Sequence, residues 1–371
     1  MQRRTWSSSS GPFSYGVAAS FVAKNRRHEP REHVFNFSFE DAVMKLRHGR
    51  LRAESGQDAF FVSRFGDTGG VALGVADGVG GWIESGVDPA DFSHAFCAHM
   101  AAAADSYRRP AAGASPDAAP AADGLGAREL MQRGYDAVSR DSSVPAGGST
   151  ATVALLKRDG RLEVANLGDS GFMHLRPCAV HAFSAPQTHG FNTPFQLSVV
   201  PRSAARRMAA FGGAQLSDLP RDAEVSRHAL AHGDVVVLAS DGLWDNLFNQ
   251  DILRIVSRVM VGAGAWRPGA GGGGGDGGGT GGIVADRHLS RLTDAGGGAE
   301  ARRPPSTLQA VIASDITAAA KAAALNSKVD GPFAKELKRH YPLERWHGGK
   351  NDDICVVVAV VLEDGPVSAR L

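Results

Sequence analysis

Several apolar runs of this chain end at an aspartate, and no other feature restricts its fold as strongly. Runs rich in β-branched residues that stop at turn-forming residues predict buried strands. When such strands lie side by side, the residues that follow them gather at one rim of the sheet. The runs and their aspartates are Val71–Ala76 with Asp77, Leu162–Leu167 with Asp169, and Val235–Ala239 with Asp241.

Further acidic residues extend this pattern. Asp352 and Asp353 directly precede the apolar run Ile354–Leu362, and Asp58 opens another apolar run. Any one of these residues could simply form a turn, because Asp-Gly is a common turn pair. Together, carboxylates crowded on one rim would raise each other's pKa unless a cation is present. Oxygen-only ligands suit Mg²⁺ or Mn²⁺, so the pattern predicts a two-metal site that hydrolyses phosphate esters with an activated water.

The spacing of the strand-like runs predicts an α+β fold. Thr152–Leu156 and Leu162–Leu167 are separated only by Lys157–Arg161, which indicates an antiparallel hairpin. A parallel sheet would need a long crossover between consecutive strands. We therefore expect a β-sandwich of two mostly antiparallel sheets flanked by helices, with a dinuclear metal cleft at one end. Helix signals occur at Phe92–Ala104, Arg128–Ser139, Asp251–Met260 and Leu308–Leu325.

Two low-complexity stretches interrupt the chain of 371 residues. Residues 108–127 are rich in Pro, Ala and Gly, and glycine dominates much of residues 262–305. Neither can bury enough apolar surface to offset the entropy of ordering it, so both are predicted to be surface insertions. We expect one domain over residues 31–365, with tails at 1–30 and 366–371.

Charge and cysteine usage exclude some classes of function. Forty Lys and Arg residues against 39 Asp and Glu leave a net charge of +1, which gives no support for nucleic-acid binding. The longest apolar runs are far shorter than the ~20 residues of a membrane helix, so no spanning segment is expected. Cys97, Cys178 and Cys355 form no C-x-x-C pair, so neither a disulfide framework nor a zinc site is expected.

The amino-terminal segment has a distinct composition. Its first 28 residues hold five Lys or Arg, a run of serines and no acid. This composition is typical of an organellar transit peptide, and an ordinary disordered tail is the alternative.

Four short motifs contain these acidic residues except Asp58, namely Ala76–Trp82, Asn166–Gly171, Ala239–Asn246 and Gly349–Ile354. In this order they resemble the signature motifs of the protein phosphatase 2C (PPM-type) family. Trp82 directly after Asp-Gly-Val-Gly-Gly, together with the mid-domain segment Thr193–Leu197, is similar to the mitochondrial branch of that family, particularly its fungal members.

The resemblance implies specific metal ligands. Asp77 would bridge two ions of Mn²⁺ or Mg²⁺, and the carbonyl oxygen of Gly78 would bind one of them. Asp241 and Asp352 would complete the coordination of the other ion, while Asp58 would act through metal-bound waters. These four aspartates are the catalytic residues that we expect.

Other positions have less direct roles in this comparison. Asp169 and Asp245 would form a looser third metal site. Asp353 stands where the family often has Asn, so we expect it behind the ligands and not on an ion.

Two positions depart from the family pattern. Many relatives carry a His directly after Asp-Gly, proposed to protonate the leaving alcohol, whereas this chain has Val79. Relatives also place a phosphate-binding Arg five residues before the first Asp, where this chain has Ala53. The neighbouring Arg52 is the candidate phosphate ligand, and an exposed basic side chain is the alternative interpretation.

These observations favour a metal-dependent hydrolase that acts on phosphoserine and phosphothreonine in proteins. Its expected partners are phosphorylated proteins, and we expect a monomer located in mitochondria, with another organelle or the cytoplasm as alternatives. A catalytically silent module that binds phosphoproteins is the second hypothesis. A two-metal nuclease is the third, and it would need a basic groove that the balanced charge does not supply.

Overall fold

The computed structural model describes residues 13–37, 54–108, 124–201, 218–269, 282–294 and 307–363. Within these residues, two antiparallel sheets pack face to face and helices cover both outer faces. The predicted α+β sandwich is therefore confirmed. Among the helices in these ranges, none combines the length and hydrophobicity that a membrane span requires.

Six strands form the first sheet: β1 (Phe13–Val22), β2 (Val34–Phe37), β8 (Gly171–Arg176), β9 (Ala179–Phe183), β14 (Val235–Ala239) and β17 (Ile354–Glu363). Their order across the sheet is β2-β1-β17-β14-β8-β9. Every neighbouring pair is antiparallel. Because β14 and β17 run in opposite directions, the end of β14 and the start of β17 lie at the same edge.

Five strands form the second sheet: β3 (Asp58–Phe65), β4 (Gly70–Asp77), β6 (Ala151–Leu156), β7 (Arg161–Leu167) and β13 (Glu224–Ala229). Their order is β13-β7-β6-β4-β3, again antiparallel throughout. The hairpin predicted from the short link between β6 and β7 is present.

Short strands pair outside the two large sheets. They form three two-stranded ladders, β10 with β11, β12 with β5, and β15 with β16. Their bounds are Gly147–Ser149 (β5), Thr188–Gly190 (β10), Thr193–Pro194 (β11), Leu197–Val199 (β12), Trp266–Pro268 (β15) and Ile283–Ala285 (β16).

The helices of the described residues fall on both sides of the sandwich. The second and third helices pack on the second sheet, and the long seventh helix packs on β1 and β17 of the first. They are α1 (Pro30–His33), α2 (Pro89–Asp105), α3 (Ala127–Val138), α4 (Asp241–Trp244), α5 (Asn249–Gly262), α6 (Ser290–Thr293), α7 (Leu308–Ala324) and α8 (Pro332–His340).

Strand β17 shows how the layers are held together. Val356, Val358 and Val360 face the helices of the first sheet, whereas Cys355 and Val357 face the second sheet. All five are fully buried, which explains why this strand is a continuous apolar run and not an alternating one. The hydrophobic effect of both interfaces therefore acts on this strand.

Two predicted segment boundaries need correction. Strand β1 lies inside the predicted tail, residues 1–30, and pairs with β17 over its full length, so residues 13–22 belong to the folded core. The predicted insertion, residues 262–305, contains the β15–β16 hairpin, with Trp266 fully buried and bonded through Nε1 to the carbonyl of Gly233 at 2.9 Å. Composition alone did not predict that either segment is folded, because a few well-placed apolar residues are enough to anchor each of them.

Candidate metal centre

Two of the predicted aspartates face each other across the second sheet. Asp58 begins β3 and Asp77 ends β4, and they are direct partners in the antiparallel register. Opposed residues in such a pair project from the same face. The N–H of Gly78 donates to the carbonyl of Gln57 at 3.1 Å, and a Cβ at Gly78 would lie 2.7 Å from the carbonyl oxygen of Pro89. The Asp-Gly turn is thus packed too closely for any other residue.

Acidic residues from the first sheet lie at the same rim. Asp241 begins α4 two residues after the end of β14, and Asp352 stands two residues before the start of β17. The two segments approach closely, since a Cβ at Gly242 would lie only 1.9 Å from the carbonyl oxygen of Asp353. Only a glycine after Asp241 allows this contact.

The side chains from both sheets meet in one cluster. Burial raises the pKa of Asp77 well above its ordinary value, and the carboxylates of Asp241, Asp58 and Asp352 raise it further. Burial and neighbouring carboxylates also raise the pKa values of Asp58, Asp169, Asp245 and Asp352. We call the six residues the carboxylate cluster: Asp58, Asp77, Asp169, Asp241, Asp245 and Asp352.

Asp58 is the deepest member of the cluster. It is 1% exposed, and its Oδ2 accepts a hydrogen bond from the Ser240 hydroxyl at 2.6 Å. Ser240 in turn accepts from the N–H of Cys355 at 3.0 Å. Burial, followed by the charge of Asp353, raises the pKa of Asp58 well above its usual range. Its Oδ1 is buried and has no hydrogen-bond partner among the described residues, which fits an acceptor that takes a water or a cation.

Lys350 is the residue that the sequence analysis missed. Its Nζ lies 2.6 Å from Asp241 Oδ2, 2.7 Å from Asp245 Oδ2 and 3.4 Å from Asp352 Oδ2. Burial alone would lower the pKa of Lys350, but the three carboxylates outweigh it and raise that pKa above its ordinary value. The lysine of Gly349-Lys350-Asn351-Asp352 was the available signal, since a cation two residues before a ligand can reach the same site.

The position of Lys350 bears on whether the cluster fits metal ions. Within the described ranges, no three Asp, Glu, His or Cys side chains already surround one point as ligands. Instead, the Lys350 ammonium lies between three of the carboxylates. These carboxylates offer only oxygen atoms and already surround one cation, the ammonium. Oxygen ligands suit hard divalent ions, so the residues fit Mn²⁺ or Mg²⁺.

Asp169 and Asp245 also belong to the cluster. Burial, then the charge of Asp241, raises the pKa of Asp169 to about 7. The same two causes raise the pKa of Asp245 well above its ordinary value. Asp241 differs: burial would raise its pKa, but Lys350 outweighs burial and the pKa is lowered.

Asp353 stands behind the cluster, where it ties two loops together. Its Oδ1 accepts from the N–H of Lys24 at 2.6 Å, and its Oδ2 accepts from the N–H of Gln57 at 2.7 Å. The Lys24 side chain reaches forward, with Nζ 3.7 Å from Asp352 Oδ1. Lys321 donates to the carbonyl of Lys24 and to Asn351 Oδ1 at 3.1 Å, so the loop after β1 is held against the site.

Arg52, the predicted phosphate ligand, lies outside the described residues. Three other residues of the motifs, Val79, Trp82 and Trp244, make contacts in the structure. Val79 donates its N–H to the carbonyl of Gly148 at 3.0 Å and offers no side-chain proton. Trp82 donates to Gln196 at 3.2 Å and Trp244 to the carbonyl of Ala239 at 2.9 Å. Both indoles thereby brace the loops that carry the aspartates.

Known proteins resemble this chain in sequence. The family described as "Protein phosphatase 2C" matches residues 48–265. "Protein phosphatase 2C homolog 7, mitochondrial" of Saccharomyces cerevisiae is 32% identical over 245 residues, which are 66% of this chain and 65% of that protein. "Protein phosphatase PTC7 homolog fig" of Drosophila ananassae is 31% identical over 315 residues, 84% of this chain and 75% of that protein.

A solved structure supports the fold independently. The photosystem II phosphatase PBCP superposes with a TM-score of 0.58 at 23% identity, covering 94% of this chain and 98% of that one. At this identity the likeness concerns the fold alone. The family match extends over more than half of the chain, and the Drosophila relative covers most of it. The chain belongs to the protein phosphatase 2C family.

Proposed function

We propose that this protein hydrolyses phosphoserine and phosphothreonine in proteins, using Mn²⁺ or Mg²⁺ held by the carboxylate cluster. The observation that carries the proposal is the convergence of acids from both sheets: Asp58 and Asp77 of the second sheet lie beside Asp241 and Asp352 of the first. The Lys350 ammonium lies among the first sheet's acids. Buried carboxylates of like charge destabilise a fold unless a cation offsets them. A protein keeps such a cluster where function requires it.

Each acid would have a defined task. Asp77, the Gly78 carbonyl, Asp241 and Asp352 would hold two ions, and Asp169 with Asp245 would hold a third. Ions bound there would supply an activated water and neutralise charge on the phosphoryl group. Asp58 would orient that water and accept its proton, because its buried Oδ1 has no partner in the described residues while Ser240 fixes its Oδ2.

Lys24 is a candidate phosphate ligand. Its side chain is 52% exposed, and its Nζ lies 3.7 Å from Asp352 Oδ1 at the rim of the cluster. A rim lysine of this kind can reach substrate oxygens as a point charge. Together with Arg52 it would supply the positive charge that Ala53 does not.

The proposal is tested with the full-length protein and two substrates, p-nitrophenyl phosphate and a phosphothreonine peptide. Hydrolysis should require added Mn²⁺ or Mg²⁺ and should stop with EDTA. Turnover that persists after complete chelation would contradict the proposed chemistry. Tight peptide binding without turnover at saturating Mn²⁺ would instead favour a silent phosphoprotein-binding module.

We infer a mitochondrial location from two observations. The yeast relative is named as mitochondrial, and residues 1–12, which precede β1, contain two arginines, a run of four serines and no acid. A fluorescent fusion that carries residues 1–40 should collect in mitochondria. Diffuse cytosolic fluorescence of that fusion would contradict the inference.

A further inference from the structure

A group of aromatic side chains, which we call the aromatic face, lies beside the carboxylate cluster. It consists of Phe191, Phe333, Tyr341 and Trp346. The Phe191 ring centroid is 5.3 Å from that of Phe333 and 5.7 Å from that of Tyr341, and Phe333 lies 5.6 Å from Trp346. Aromatic pairs at these separations attract each other, so the four rings form one surface.

This surface is unusually exposed for its apolar content. Tyr341 is 55% and Trp346 41% exposed, and Leu343 between them is 96% exposed. In the described part of the chain, five of the twelve exposed large apolar side chains fall between residues 325 and 346. A concentration of this kind marks an interaction surface and not scattered surface residues.

The segment that carries these rings is held in place before any partner binds. Asp330 accepts from Lys338 Nζ at 2.5 Å and from the N–H of Gly348 at 2.9 Å. The N–H of Gly349 donates to the carbonyl of Asn326 at 2.9 Å. A surface ordered in advance loses little entropy on binding.

The aromatic face is continuous with the carboxylate cluster. The N–H of Phe333 donates to the carbonyl of Asp245 at 3.0 Å, and its ring lies 5.1 Å below Lys350 Nζ. Lys350 Nζ is also 3.3 Å from Asn192 Oδ1, next to Phe191. A ligand seated on the face therefore extends into the site.

The segment that carries the face has an excess of positive charge. Without Lys350, which lies among the carboxylates of the cluster, residues 328–349 contain five Lys or Arg and three acids. Lys335 and Arg339 are exposed on α8. Such a surface is complementary to acidic side chains, and the aromatic rings are complementary to apolar ones.

We propose that the aromatic face docks the part of a phosphoprotein substrate that adjoins the phosphoresidue. The substrate segment would carry an aromatic or aliphatic side chain together with acidic residues. This inference rests on the proposed function, since it names the substrates of the same site. Continuity with the carboxylate cluster favours a substrate segment over a membrane surface.

The test compares two phosphothreonine peptides on the full-length protein. One carries phenylalanine, leucine and three glutamates beside the phosphothreonine, and the other has serine at those positions. In the double variant Tyr341→Ala/Trp346→Ala, kcat/KM for the first peptide should fall about tenfold or more through a higher KM. The serine peptide should lose about twofold or less. Ile283→Ala, which removes an exposed apolar side chain on the β15–β16 hairpin, should change neither peptide.

Binding is measured separately from turnover, by fluorescence anisotropy of both peptides in EDTA. Weaker binding of the apolar, acidic peptide to the double variant would support docking even if the wild-type protein hydrolysed nothing, and in that case only the proposed function would fail. Equal effects on both peptides, or none, would overturn the docking proposal.

Two controls keep the test decisive. If the double variant melts at a lower temperature than the wild type, the 96% exposed Leu343 is replaced instead, as Leu343→Ser. Vesicles of phosphatidylcholine and cardiolipin test the other occupant. Loss of vesicle binding in the variant, with unchanged peptide kinetics, would overturn the proposal in favour of a membrane surface.

Discussion

The protein buries acidic side chains at two places that are stabilised in opposite ways. Asp234, in the turn before β14, is fully buried and its Oδ2 collects several donors. His174 Nε2 lies at 2.7 Å, the N–H of Ala231 at 2.8 Å and Arg176 Nε at 3.4 Å. The fold therefore supplies three donors to one oxygen of this carboxylate, as a buried structural acid requires, although its Oδ1, like that of Asp58, has no hydrogen-bond partner among the described residues.

The carboxylate cluster lacks comparable partners for several of its members. Asp58 and Asp77 have strongly raised pKa values because they are buried and lie beside other carboxylates. Lys350 is the main cation among them. The contrast indicates that Asp234 stabilises the fold, whereas the cluster is arranged for ions that come from outside. Four predictions test this difference, from the largest effect to the smallest.

Asp77→Asn should separate activity from stability. Loss of a bridging ligand should lower kcat/KM at least a hundredfold, about 3 kcal/mol of transition-state stabilisation. The metal-free protein should melt at the same or a higher temperature, because a repelling charge has been removed. Steady-state kinetics and thermal melting in EDTA measure the two effects. Asp105→Asn, an exposed acid at the end of α2, should alter neither, and a large drop in melting temperature for Asp77→Asn would contradict the functional reading of the cluster.

Asp234→Ala should show the reverse. Removing one partner of a buried pair leaves His174 and Arg176 without their acceptor and should cost about 3 kcal/mol of unfolding free energy. Urea denaturation measures this loss. The exposed Asp159, 2.7 Å from Arg161, provides the matched control, since Asp159→Ala should cost less than about 1 kcal/mol. Equal losses of unfolding free energy in Asp234→Ala and Asp159→Ala would show that Asp234 is not a special structural acid.

Lys350→Met should make the cluster more dependent on metal. Without the ammonium, the carboxylates repel each other more strongly, so the metal-free protein should lose about 2 kcal/mol of stability. Added Mn²⁺ should then raise the melting temperature more than it does in the wild type. Lys335→Met removes an exposed lysine 4.4 Å above the Phe248 ring and should leave the Mn²⁺ response unchanged. A smaller Mn²⁺ response in Lys350→Met would show that Lys350 does not compete with the ion.

The contribution of the carboxylate cluster to the stability of the metal-free wild type should fall as pH rises. The folded-state pKa of Asp169 is about 7 and those of Asp58 and Asp77 are also raised. From about pH 4 to pH 7 these acids therefore bind more protons in the folded protein than in the unfolded chain, which lowers the unfolding free energy. Three histidines contribute in the opposite direction, because burial lowers their pKa values: His28, His181 and His228. Saturating Mn²⁺ should flatten this slope because it favours the ionised carboxylates. Urea titrations at several pH values measure how the unfolding free energy depends on pH. The same dependence with and without Mn²⁺ would argue against ions in the cluster.

The sandwich could be predicted because strand periodicity and short links are local properties. The hairpin of β6 and β7 and the helices α2, α3, α5 and α7 follow from such signals. Strand β1 was missed because its neighbours are basic and serine-rich, and its pairing partner β17 lies more than three hundred residues away in the chain. Trp266 and the β15–β16 hairpin were hidden by the glycines around them.

Five of the six acidic residues of the cluster were visible along the chain, because each follows or precedes an apolar run; Asp245 was indicated only by the family resemblance. Their grouping in space was an expectation that needed the register of Asp58 with Asp77 and the shared edge of β14 and β17. Lys350 and Lys24 were not recognised. The position of Lys350 inside the Gly349–Ile354 motif was a signal that it could reach the site, but no local pattern shows whether either lysine is a buried or an exposed cation. Their contacts depend on segments far apart in the chain.

Chain order and residue chemistry were enough to establish the family, the layered architecture and the acids that could bind ions. The pairing of distant strands decided which cation lies among those acids, which loop closes the site and which aromatic rings stand beside it. The physical reason is that hydrophobic periodicity is a property of a few consecutive residues. Electrostatic and aromatic contacts instead join residues that are far apart in the chain and become neighbours only when the sheets pack.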